Sequence, residues 1–159
     1  MRKFAVPFAV IALTCLELSA ETAPPFSISS FGTFIQDFDT LASTGSSSST
    51  PEGWGFAETG TNANITYSAG TGSSNSGETF SFGATGSTER AFGGLLSGSV
   101  IPTIGAHFKN ETGGTITTLT ISYTGEQWRL GASGRGADRL DFQYSTTATS
   151  LSRSTRRRS

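Results

Sequence analysis

The chain has 159 residues, enough for one domain, and a formal charge of −1. Only 35% of it is hydrophobic, below the ~45–50% usual for a globular domain, so the core is thin and rests largely on the twelve phenylalanines. Between Glu21 and Leu151 there are five basic and eleven acidic residues, a balance of −6, which argues against nucleic acid as the main partner.

Residues 1–20 read as a secretory signal peptide in helical form. Arg2 and Lys3 make its basic start, residues 4–16 its apolar segment, and Ser19 and Ala20 the small residues before a cut that leaves Glu21 first. The apolar run is shorter than the ~20 residues of a membrane span, so no transmembrane span is expected in the mature chain. Cys15, the single cysteine, falls inside this segment behind Thr14, which does not fit a lipid-attached cysteine; the mature chain then has no disulfide. The predicted location is secreted or at the cell surface.

Residues 21–30, with Pro24 and Pro25, form an extended lead-in, and residues 31–151 the folded module. In residues 31–41 the spacing predicts a first strand, with Phe34 and Phe38 inward and Asp37 and Asp39 on the opposite face. Residues 43–51 are a polar loop. Trp54 and Phe56 share one side of the next segment, then Ile65 and Tyr67, then Phe80 and Phe82. Residues 86–96 and 99–110 are expected to pair as a hairpin, with Pro102 confining the second to an edge or a bulge.

Residues 115–146 carry the clearest alternation. Leu119, Ile121 and Tyr123 face one way and Thr118, Thr120 and Ser122 the other; Leu140, Phe142 and Tyr144 repeat the beat. Two long antiparallel strands around a glycine-rich loop are therefore expected to organise the fold. Strands recurring every ~10 residues between turn signals, with no helix-period segment after the leader, predict an all-β antiparallel sandwich, jelly-roll-like. Residues 152–159 (SRSTRRRS) hold no apolar residue and are expected to be a disordered basic tail.

Reactive groups are scarce. His107 is the single histidine and lies in a predicted strand, where a structural or surface role is favoured over catalysis, and no nucleophile elbow is present. Glycoside hydrolysis needs two carboxylates at a set separation. Glu126, Asp138 and Asp141 are the acids a hairpin would gather, but exposed acids on strand faces usually only solubilise. The chain is read as not an enzyme. Calcium, which takes carboxylate and loop carbonyl oxygens, is the one cofactor the residues invite, through Asp37 and Asp39. Trp54 and Trp128 are the candidate ligand contacts, offering aromatic faces to sugar rings, although a core role also fits both. Arg129 could take an acidic group of a ligand, or, with Arg139, pair with Glu126 and Asp138. Asn64 and Asn110 each begin an Asn-x-Thr glycosylation pattern.

Three motifs, residues 58–64 (ETGTNAN), 81–94 (SFGATGSTERAFGG) and 123–129 (YTGEQWR), together with FDTL at 38–41 and PEGW at 51–54, carry a family likeness. Over residues 31–151 the chain resembles the N-terminal β-sandwich module of bacterial exported proteins, many with a PEP-CTERM sorting signal and others with lamin-tail or extracellular-nuclease domains downstream. The resemblance implies a surface or secreted module and no catalytic residues. It also implies further strands where this chain has SRSTRRRS, so an apparently truncated, incomplete sandwich is expected, with an uncovered apolar face and a tendency to self-association. The expected function is surface adhesion, matrix or glycan binding, with glycan or extracellular matrix as partner. The alternatives are an accessory domain of an extracellular hydrolase such as a nuclease, separated from its catalytic part, or a truncated product without independent function.

Overall fold

A computed structural model describes residues 24–131, 134, 140–148, 150–151 and 157–158. The expected signal peptide, Arg135, Asp138, Arg139 and most of residues 152–159 lie outside them. The described chain is all-β: no helix occurs in it, and no helix there is long and apolar enough to cross a membrane. Its sheets mix parallel and antiparallel pairing.

Strands β1 (Phe26–Ile28), β2 (Ser46–Ser47), β3 (Trp54–Thr59), β4 (Tyr67–Gly70) and β5 (Glu78–Phe82) come first. β6 (Ala91–Leu95), β7 (Ile101–Ala106), β8 (Phe108–Asn110), β9 (Gln143–Tyr144) and β10 (Arg157–Arg158) follow. One sheet has the order β2-β4-β5-β6; β3 pairs with β7 in a second. β1 runs parallel to β8, and β9 antiparallel to β10, so the C-terminal segment expected to be disordered includes a two-residue strand.

The core lies where the first two sheets meet. Phe56 from β3, Tyr67 from β4, Phe92 from β6 and Leu41 from the connection before β2 are buried together. The three rings meet edge to face at 5.7–6.1 Å, the arrangement their quadrupoles favour. Tyr67 can be buried because its hydroxyl is satisfied: it donates to the Ser49 carbonyl at 2.9 Å and accepts the Ala42 N–H at 3.0 Å. Trp54, Phe38 and Ile104 close the cluster.

Several sequence expectations are corrected. Residues 86–96 and 99–110 do not form a hairpin with each other: β6 pairs with β5, and β7 with β3. The turn between them, closed by Ser97 N–H to Val100 O at 3.0 Å and Val100 N–H to Ser97 Oγ at 3.0 Å, carries the chain from one sheet to the other. Among the described residues β7 pairs with β3 alone, an edge position that suits the missing N–H of Pro102. The pairing is not uniformly antiparallel, because β1–β8 and β4–β5 are parallel.

Residues 31–41 are not a strand. Phe38 adopts φ +66°, rare for a bulky residue. The resulting bend, held by Leu41 N–H to Phe38 O at 2.9 Å, swings its ring against Trp54 at 4.6 Å. Phe34 instead meets Phe26 and Phe108 beside the β1–β8 pair. Strand β4 begins only at Tyr67, because Asn64 Oδ1 holds both the N–H and the hydroxyl of Thr66 at 2.7 Å in a turn; Ile65 is exposed.

The largest correction concerns residues 115–146. They do not supply two long paired strands: among the described residues only β9 is a strand there. Leu119, Ile121 and Tyr123 are 54%, 49% and 61% exposed, and Leu130 and Leu140 more so. The aromatic interior is already filled from β3, β4 and β6, so this segment adds no ring to it.

Candidate functional site

Strand β5 carries an aromatic stack that runs from buried Phe80 outward. Phe80 and Phe82 share a strand face, and their rings lie 5.0 Å apart. Trp128 lies over Phe82, centroids 6.1 Å apart and planes only 7° from parallel. Trp128 is half-buried, and its indole Nε1–H donates to exposed Glu126 Oε2 at 2.8 Å.

Arg129 fixes this segment to the loop between β4 and β5. Its Nη1 donates to the Ser74 carbonyl at 2.6 Å, with Ser73 and Gly72 carbonyls at 3.3 and 3.4 Å, and its Nη2 reaches Asn75 Oδ1. Gly72 has φ +80°, and a Cβ there would overlap the Trp128 carbonyl. Only glycine allows that close approach. Of the alternative in which Arg129 and Arg139 pair with Glu126 and Asp138, Arg129 and Glu126 do not meet each other: Glu126 accepts from Trp128, and the Arg129 guanidinium donates to loop carbonyls.

A second constellation joins the two main sheets. Glu58, on β3, is 1% exposed. Its Oε1 accepts the Thr79 N–H at 2.7 Å and hydroxyl at 2.8 Å; its Oε2 accepts the Asn64 N–H at 3.1 Å and Nδ2–H at 3.3 Å. Asn64 Nδ2 also donates to both oxygens of Glu78 at 3.2 Å. Burial raises the Glu78 pKa above its ordinary 4.5; hydrogen bonding by Asn64 opposes this, and the charge of Glu58 adds to it. Two carboxyl groups thus share one amide in a half-buried setting.

Sequence reasoning missed this pair, though a signal for it existed. Glu58 has the parity of Trp54 and Phe56 along β3, so the alternation that sends those rings inward sends the acid with them.

The other residues singled out in the sequence are dispersed. Asp37 and Asp39 are exposed in the bend after Phe34; Asp37 Oδ1 accepts the Asp39 N–H, and Asp39 Oδ1 the Arg90 N–H, both at 3.1 Å. Among the described residues no three His, Cys, Asp or Glu side chains are grouped to hold a metal ion. Trp54 packs against the aromatic core, remote in role from Trp128, and its buried Nε1 has no hydrogen-bond acceptor among the described residues. His107 is exposed between β7 and β8, where its backbone is tied to Gly53 and Phe26. Asn64 is engaged with the two glutamates, while Asn110 is exposed at the end of β8. Asp138, one of the three acids expected across a hairpin, lies outside the described residues.

No family model, curated protein or solved structure matches the chain.

Proposed function

We propose that this protein is an exported, non-catalytic β-sandwich module that binds glycan at the cell surface or in the extracellular matrix, with Trp128 as the main contact. The supporting observation is the stack of Phe80, Phe82 and Trp128. It presents a braced, half-buried indole whose orientation is set by Glu126 and by the Arg129 clasp. A ring held in place on another ring loses little freedom on binding, which is what an aromatic contact for a flat apolar sugar face requires. The apolar leader and the likeness to exported modules support the location. Arg129 serves this reading as a positioning residue, since its guanidinium is already committed to the loop.

A glycan array followed by calorimetry tests this. The expected result is binding of a glycan that Trp128→Ala weakens by about 2 kcal/mol, roughly 30-fold. Trp128→Phe, which keeps a ring over Phe82, retains part of the affinity, and Trp54→Phe leaves it intact. A wild-type chain that binds no glycan, or a Trp128→Ala variant that binds as well as wild type, contradicts the proposal.

A further inference from the structure

Among the described residues Arg90 is the one basic side chain drawn into the interior, 3% exposed just before β6. A guanidinium does not give up its proton in a protein, so its burial calls for a counter-charge. Among the described residues no acid side chain supplies one: the ion pair they form is the exposed Lys109–Glu111. Asp39 Oδ1 meets the Arg90 backbone N–H at 3.1 Å rather than the side chain. Glu58, which reaches Thr79 on the same face of β5 as Ser81, has both oxygens filled.

Ser81 holds one edge of the guanidinium. The Nε–H donates to Ser81 Oγ at 2.8 Å, and Nη2 donates to the Ser81 carbonyl. Nε–H and the Nη2–H beside it make the side-on edge of the planar fork, so the end-on edge remains: Nη1 with the other Nη2–H. The bare backbone of Gly83 makes room for it, since a Cβ there would overlap Nη1. Among the described residues Trp54 Nε1 is the one fully buried side-chain nitrogen or oxygen without a partner. Nη1 of Arg90, which has no acceptor among them, is therefore the part of the group that meets solvent. A fixed charge with parallel N–H groups at its open edge suits the two oxygens of one oxyanion.

We propose that the end-on edge of Arg90 is an anion site that takes a carboxylate in bidentate fashion. The counter-charge that the described chain lacks then comes from the ligand. Ser81 and Phe82 leave β5 on opposite faces, so this site is separate from the Trp128 stack and does not rest on the glycan reading. A free carboxylate and the acid group of a uronic sugar share this chemistry.

Magnetic resonance of the arginine side-chain N–H groups tests this, on the full chain titrated with acetate or glucuronate against chloride at constant ionic strength. The Arg90 Nη signals are expected to shift along a saturating curve, while those of Arg129, already committed to its loop, stay fixed. Saturation at lower glucuronate than acetate assigns the anion to an acidic sugar; otherwise it is a free carboxylate. Arg90→Lys keeps the charge but loses the fork, and is expected to raise the dissociation constant at least about tenfold in calorimetry. Should that variant not fold, the wild-type titration decides alone. An Arg90 shift that grows without saturating, or that Arg129 shares equally, overturns the proposal. So does undiminished binding by folded Arg90→Lys.

Discussion

Glu58 enters the interior because it shares a strand face with Trp54 and Phe56, and it stays there because four donors meet its two oxygens. Both oxygens must therefore accept. In Glu58→Gln one of them becomes an N–H₂ group facing either the Thr79 or the Asn64 donors, and donor meets donor. A cost of about 1–3 kcal/mol is expected, read as a lower denaturant midpoint with an unchanged slope. Glu78, a few ångströms away across Asn64, makes the opposite contribution at neutral pH. Its folded pKa is raised, mainly by burial, so between its ordinary 4.5 and that higher value the folded state holds a proton that the unfolded chain releases. Its share of stability is complete below its ordinary 4.5 and is lost as pH rises through the higher folded value. Glu78→Gln should flatten that part of the stability profile; an unchanged slope would mean that folding does not raise the Glu78 pKa.

At the scale of elements, the parallel pairing of β4 and β5 sets an unusual demand. The chain must return along a four-residue strand, ~13 Å at 3.3 Å per residue, using only residues 71–77. Seven residues reach at most ~24 Å, so the return is possible with slack that the loop's own contacts must take up. Arg129 bonds to the carbonyls of this loop and Gly72 admits the Trp128 backbone against it. Arg129→Ala should cost about 1–2 kcal/mol and speed amide exchange in residues 71–77. A Gly72→Ala change, strained at φ +80°, should do at least as much. Unaltered exchange in both variants would remove the clasp from the account.

Strand β3 and strand β5 were legible as alternating runs through Trp54 and Phe56, and through Phe80 and Phe82. The stronger alternation at Leu119, Ile121 and Tyr123 misled. Periodicity shows that a segment suits a strand, but a strand also needs a neighbour, which lies elsewhere in the chain or outside it. The aromatic stack was half legible, since Trp128 was recognisable as an anchor, whereas Phe82 as its support depended on a loop contact that no local pattern encodes. The glutamate pair was encoded in parity, but an acid at the end of an apolar run is more readily taken as its solvated boundary.

For the whole molecule, the central feature is an aromatic core assembled from β3, β4 and β6, with the segment most strand-like in sequence left beside it. Such a division gives one cooperative unit and a flanking segment of low local stability. Hydrogen exchange on the full chain at dilute concentration measures this most directly. Amides of Trp54–Thr59, Glu78–Phe82 and Ile101–Ala106 are expected to exchange slowly and together, and those of residues 117–123 within the fastest class. Protection of residues 117–123 equal to that of β3 would place them inside the fold and contradict the account.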